Sequence, residues 1–225
     1  MIVVMSSPSY EPLERRPLRS RDTRWAHAFA GFLAARGASP NGISIFGMIA
    51  AIGAGAAYFA TGPASGWSER GLWLLGGALC QVRLLCNLFD GMVAIARGVA
   101  SPKGELYNEV PDRVSDAAIF IGLGYASFSD PILGVAAALV AVFTAYVRAM
   151  AKAAGSPNDY CGPMAKPQRM ALVTALSVWL ALRPDAWSLP WGETRVVLTI
   201  VIVLGLVTAL RRLLRAARRL EAKNP

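Results

Sequence analysis

The sequence predicts an all-α integral membrane protein of about six transmembrane helices, with a juxtamembrane amphipathic helix at its N-terminal end. Three observations predict it. Hydrophobic residues make up 55% of the 225 and charged residues only 16%, against about 25% charged in soluble domains. The apolar residues fall in blocks near the roughly 20 residues that a helix needs to cross a bilayer core. The excess of basic over acidic groups, 23 Lys and Arg against 14 Asp and Glu for a net charge of +9, gathers in alternate connections between those blocks. The apolar content excludes a disordered chain, and three cysteines (Cys80, Cys86 and Cys161) exclude a disulfide-stapled scaffold.

The elements follow in order. Met1 to Met5 is apolar but too short for a signal-peptide core, and residues 12–24 are basic and polar. Residues 25–36, WAHAFAGFLAAR, read as the amphipathic helix, with Trp25 and Phe29 at headgroup level and His27 as an interfacial residue. Residues 43–62 carry no charge, and residues 71–89 carry only Arg83. The third block, 117–128, is apolar but follows a polar stretch, 105–116. Residues 131–147 are uncharged, 170–182 reach spanning length by starting near Met164, and 196–210 run into an Arg-rich tail. The domain plan is an interfacial segment 1–38, a six-helix membrane domain 39–211 and a basic tail 212–225.

Six spans put both ends on one side. That side collects Arg15, Arg16, Arg19, Arg21, Arg24 and Arg36, then Arg97, Lys103, Lys152, Lys166 and Arg169, and finally the Arg-rich tail with Lys223, whereas the other holds Arg70, Arg183 and Arg195. The positive-inside rule places the rich side, and both termini, in the cytoplasm of a bacterial-type inner membrane. The basic residues thus read as membrane anchors, with recognition of anionic lipid as the sharper alternative, and no nucleic-acid partner is expected.

A polar stripe interrupts the apolar pattern where charge is most expensive. At 3.6 residues per turn, Arg83, Asn87, Asp90 and Ala94 share one helix face, and Glu105, Asn108, Asp112 and Asp116 share another. A turn over residues 98–104 joins the two helices, and antiparallel pairing brings both faces together at the cytoplasmic end. Oxygen ligands in a low-dielectric wall suit Mg²⁺, Mn²⁺ or Ca²⁺, and a single His argues against zinc. The competing explanation is salt bridging, in which Arg83 or Arg113 neutralises the aspartates. Gly91 and Ala94 read either as space for a close ligand or as small residues for helix packing.

The spacing Asn87-x2-Asp90-Gly91-x2-Ala94-Ile95-x8-Gly104-x3-Asn108-x3-Asp112 resembles the pattern D-x2-D-G-x2-A-R-x8-G-x3-D-x3-D of the CDP-alcohol phosphotransferases. The register needs no gap, and the six-helix layout agrees. Two aspartates of the pattern are Asn87 and Asn108 here, and its arginine is Ile95. The resemblance implies one or two Mg²⁺ or Mn²⁺ ions on Asp90, Asn87, Asn108 and Asp112, with Glu105 and Asp116 restoring charge. It implies Asp112 as the base, and a cytidine diphosphate site at Asn87, Gly91, Ala94 and Gly104, with Arg97 in place of the displaced arginine. Arg148, Lys166 and Arg169 are the candidates for a phosphate on the acceptor or donor.

The implied reaction transfers a phosphatidyl group from CDP-diacylglycerol to a small alcohol and releases CMP. The basic trio favours a phosphorylated acceptor such as glycerol 3-phosphate. The other reading is a catalytically silent relative that binds CDP-lipid or scaffolds a lipid-synthesis partner, supported by the Asp-to-Asn changes. A transporter fits less well, since the polar groups gather at one membrane face. The resemblance also suggests a homodimer.

Overall fold

The computed structural model describes residues 19–184, 187 and 189–222, without the side chains of Arg19, Ser20, Pro102 and Glu105. Residues 1–18, with Arg15 and Arg16, the Glu105 side chain and Lys223 therefore lie outside the described residues. A single 3₁₀ turn, Arg19–Asp22, precedes seven α-helices, and there are no strands among the described residues. The helices are α1 Arg24–Ala35, α2 Pro40–Thr61, α3 Gly66–Ala96, α4 Pro102–Gly124, α5 Pro131–Ala153, α6 Lys166–Leu182 and α7 Glu193–Glu221.

Three helices start by one local device. Ser39, Ser101 and Asp130 each precede a proline at the first helical position, where the missing N–H costs nothing. Each side chain accepts a backbone N–H of the first turn: Gly42 to Ser39, Gly104 to Ser101, and Ile132 with Leu133 to Asp130. Gly98, at φ +65°, turns the chain from α3 toward α4.

The packing is small inside and large outside. On α2 the buried face is Gly47, Ala50, Ala51, Ala54, Gly55, Ala57 and Tyr58, while Phe46, Ile49, Ile52 and Phe59 face outward. Water would drive the opposite arrangement. Where the surroundings are as apolar as the core, helices associate through close backbone approach instead. Helix α2 packs against both α3 and α4, α3 against α6, and α5 against α4 and α7. A Cβ on Gly122 would lie 2.2 Å from the Gly55 carbonyl oxygen, and one on Gly55 would lie 2.3 Å from the Ala118 carbonyl oxygen. The α2–α4 crossing therefore requires glycine at both positions.

Among the described residues four helices are long and apolar enough to cross a membrane: α2, α3, α5 and α7. The two other spans expected from sequence differ from these. Helix α6 has 17 residues, and α4 carries Glu109, Asp112, Arg113 and Asp116. The third segment also begins and ends earlier than expected. Its polar half and apolar half form one continuous helix ending at Gly124, and Phe128, at φ +54°, belongs to the connection. The expected tail boundary at 211/212 falls inside α7, where Arg212 is buried and donates to the carbonyls of Cys161 (3.0 Å) and Thr144 (3.2 Å).

Near the expected N-terminal segment the chain forms helix α1. It turns Ala26 and Ala30 inward, and the rings of Trp25 and Phe29 meet Phe89 at 5.9 and 4.8 Å. Cys80, Cys86 and Cys161 are free thiols.

Replacing Gly122 by Val should force α2 from α4 and cost about 1–3 kcal/mol, read as a lower melting temperature of the purified protein in detergent. Gly31→Ala, where a Cβ meets nothing within 4 Å, should not lower it.

Candidate active site

The two polar faces meet as antiparallel geometry requires. Asn87 on α3 donates its amide to Asn108 Oδ1 (3.2 Å) and to Asp112 Oδ1 (3.0 Å) on α4. One turn deeper, Arg83 Nη2 lies 2.8 Å from Asp112 Oδ1 and 3.6 Å from Asp116 Oδ1. Helix α2 contributes Ser44, whose hydroxyl donates to Asp90 Oδ2 at 2.8 Å. These groups line one cleft: Ser44, Gly47 and Met48 from α2, Arg83, Cys86, Asn87 and Asp90 from α3, Asn108, Pro111, Asp112 and Ser115 from α4. Its interior space is about 10 Å³, near the room a single water takes.

The aspartates have different environments. Asp112 is enclosed by cations: Arg83 on one oxygen, and Lys166 from the start of α6 on the other, with Arg113 at 3.6 Å. Asp116, fully buried, pairs with Arg169 Nη2 at 2.8 Å as well as with Arg83. Asp90, 3% exposed, has no ion pair among the described residues; its partners are the Ser44 hydroxyl and the Gly91 N–H. Salt bridging thus accounts for Asp112 and Asp116 but not for Asp90. Among the described residues no three acidic, histidine or cysteine side chains gather into a metal-ligating group. The expected pool of carboxylates is divided instead, because two of its members are committed to arginine and lysine.

The remaining candidates separate by position. Gly91 is open, since a Cβ there would meet nothing within 4 Å, so helix packing does not explain it. Ala94 is half-buried on the same helix, and Gly104 sits at the start of α4, where its N–H is taken by Ser101. Arg97 points to the other side of α3's end and donates to the carbonyls of Gly37 (3.2 Å) and Ala38 (2.8 Å). Lys166 reaches Asp112. Arg148 lies close by on α5, paired with Glu109 and stacked over Tyr160 at 5.2 Å. Arg169 is 3% exposed and also donates to the Met164 carbonyl, which makes it a strut for Asp116. Sequence reasoning missed Ser44 and Arg212. A hydroxyl one turn into an apolar helix was the signal for Ser44, whereas Arg212 was hidden among its tail neighbours.

The connection before α6 is pinned to α7 by Asp159, which lies 3.4 Å from Arg215 and 3.5 Å from Arg219. Burial opposes its charge, but the Cys161 N–H (2.9 Å) and the two guanidiniums prevail and hold its carboxyl below the usual range.

Comparison with known proteins now bears on this geometry. The model of the CDP-alcohol phosphatidyltransferase family matches residues 38–211. The chain belongs to that family. Its members are transferases of phospholipid biosynthesis, and with four helices suited to crossing a bilayer this chain is a multi-pass membrane protein. It is 28% identical over 204 residues to the phosphatidylinositol phosphate synthase of Mycobacteroides abscessus, covering 87% of this chain and 86% of that one. It is 23% identical to the archaetidylinositol phosphate synthase of Pyrococcus horikoshii, covering 84% and 89%. The crystal structure of Mycobacterium tuberculosis phosphatidylinositol phosphate synthase with CDP-DAG bound shares the fold at a TM-score of 0.70 and 22% identity, covering 86% of this chain and 94% of that one. The same enzyme in complex with manganese and citrate aligns at 0.69, with 22% identity, covering 85% and 88%. The residues of α2, α3 and α4 that line the cleft all fall within the matched span.

Two predictions follow from these contacts. Arg169→Met leaves Asp116 short of a partner in a buried site and should destabilise the protein by about 3–5 kcal/mol; adding Asp116→Asn should recover most of the lost melting temperature. For Asp159, a lowered carboxyl pKa means that its contribution is complete above the ordinary carboxylate value and lost as pH falls through the lowered one. The hydrogen-exchange protection factor of the 154–165 connection, taken relative to the intrinsic rate at each pH, should be flat from neutrality down to about pH 4 and fall only below it, whereas Asp159→Asn should show the lower protection throughout.

Proposed function

We propose that the protein transfers the phosphatidyl group of CDP-diacylglycerol to the hydroxyl of an inositol phosphate and releases CMP. The observation that carries this reading is the convergence of Asn87, Asp90, Asn108 and Asp112, the four motif positions, on one cleft, with Lys166 at its edge. Similarity to synthases of phosphatidylinositol phosphate and archaetidylinositol phosphate favours an inositol phosphate acceptor over glycerol 3-phosphate. On this reading α4 and α6 also cross the bilayer, their charges hidden against the other helices. Both chain ends lie in the cytoplasm, and the cleft opens at the inner headgroups of a bacterial-type inner membrane.

The fit to a divalent ion rests on Asp90. It is a buried carboxylate with no ion pair among the described residues, and it shares its cleft with Asn87 and Asn108, whose amide oxygens would complete an oxygen set for Mg²⁺ or Mn²⁺. An ion held there would supply positive charge to the diphosphate of the donor. Gly91 and Ala94 leave α3 bare for close approach of the nucleotide. Asp112 accepts the proton of the acceptor hydroxyl as that oxygen attacks phosphorus. Lys166 couples acceptor binding to this step. In the free protein it occupies Asp112 Oδ2, and an incoming phosphate with Arg148 close by competes for the ammonium and uncovers the carboxylate. Arg169 positions α6 through Asp116.

A second reading keeps one specific support: Asp112 is already neutralised by Arg83 and Lys166, as suits a silent relative that binds CDP-lipid without turnover.

The deciding assay follows labelled CMP released from CDP-diacylglycerol by the protein in nanodiscs with inositol phosphate, glycerol 3-phosphate and inositol offered separately. Release with inositol phosphate, reduced at least a hundredfold in Asp112→Asn and with a raised KM in Lys166→Ala, supports the enzyme. CDP-lipid binding with no CMP from any acceptor supports the silent relative.

A further inference from the structure

Arg83 is a buried cation in the site that the proposed reaction has not used. It is 1% exposed, lines the same cleft as Asp90 and Asp112, and commits only its Nη2 to carboxylates. Its Nε and Nη1 atoms are buried and have no hydrogen-bond partner among the described residues. Unmet N–H groups on a guanidinium are costly in a low-dielectric wall, and an oxyanion of a bound ligand would satisfy them.

The two carboxylates of the cleft differ in what they have left to offer. A carboxylate has about four lone-pair directions. Asp112 gives one oxygen to both Arg83 and Asn87 and the other to Lys166. Its charge is matched twice over before any metal arrives. Among the described residues Asp90 accepts only from a hydroxyl and from its own neighbour's N–H, both neutral donors. Asn87 and Asn108 supply oxygen without charge. One carboxylate is therefore available to a divalent ion, and the other is occupied by cations in the free protein.

Resting on the metal-assisted reading above, we infer that the site takes a single divalent ion, at Asp90, and that Arg83 is the second phosphate-binding cation, holding the Asp112 side of the cleft and giving its free N–H groups to a phosphate oxygen of the donor. An arginine at this place provides a planar set of donors that match phosphate. It also removes the need for further acidic ligands, which accounts for asparagine at 87 and 108.

The experiment counts Mn²⁺ by electron paramagnetic resonance on the full chain in nanodiscs, without substrate. One ion per chain is expected, with the six-line spectrum of an isolated Mn²⁺. Asp90→Asn should weaken binding by at least about tenfold, whereas Asp112→Asn should keep it within about threefold. Replacing the guanidinium while restoring the carboxylates, in Arg83→Met with Asn87→Asp and Asn108→Asp, should admit a second ion and give a spin-coupled spectrum. A titration of CDP should show affinity lost in Arg83→Met and partly kept in Arg83→Lys. Two coupled ions in the unaltered chain, loss of Mn²⁺ in Asp112→Asn rather than Asp90→Asn, or unchanged CDP affinity in Arg83→Met would each overturn the inference. So would a chain that binds no Mn²⁺ and still releases CMP, although that result leaves the proposed reaction standing. A chain that binds one ion, loses it in Asp90→Asn and makes no CMP supports this inference and removes the proposed reaction.

Discussion

The Arg83–Asp112–Lys166 ion triad holds the cleft end of the bundle together. It draws on three helices, α3, α4 and α6, and the helix between α3 and α4 is α2, which packs on both. Buried charges of this kind contribute little net stability over an apolar core, because desolvation offsets most of the attraction. Their value lies in what they exclude. A slip of α4 by one turn would leave Arg83 facing Asn108 in place of Asp112, with a carboxylate stranded in an apolar wall. The register of the site is therefore enforced by the penalty for misalignment more than by the strength of any one contact.

That constraint requires close helices, and the glycine and alanine face of α2 provides them. Gly55 and Gly122 let the α2 and α4 backbones touch, and Gly47, where a Cβ would lie 2.8 Å from the Cys86 Cβ, brings α2 onto α3 beside the Ser44–Asp90 contact. Packing and chemistry are coupled along one helix: the same face that is bare enough for van der Waals association delivers the hydroxyl that holds the uncompensated carboxylate. Below this, Tyr58 joins Ser177 at 2.8 Å, so the polar groups of the deeper core are also paired across helices.

The cleft has a gradient of commitment. Asp116 and Arg169 are structural, sealed from any ligand. Asp112 is tied to Arg83 and Lys166, and on the proposed reaction it would be shared between structure and chemistry, since those cations are also suited to phosphate. Asp90 is held only by neutral donors and is the member most open to a new partner. A site arranged in this way can bind an anionic substrate without first building a dense acidic nest, and its cationic arms come from helices already fixed by packing.

The sequence by itself determined the all-helical class, the four apolar spans α2, α3, α5 and α7, and the two polar faces and their antiparallel meeting, because 3.6-residue periodicity and the cost of charge in a bilayer are local properties of the chain. It also determined the family, since the motif spacing is rigid between Asn87 and Asp112. Only the tertiary structure decided which carboxylates are free. Asp90 and Asp112 look alike in sequence, and both lie on the predicted faces, but their partners come from α2 and α6, 46 and 54 residues away. Arg212 likewise looks like one more basic tail residue until the fold brings the carbonyls of Cys161 and Thr144 to it. Charge neutralisation depends on contacts between distant segments, and no local pattern records which of several cations will reach a given acid.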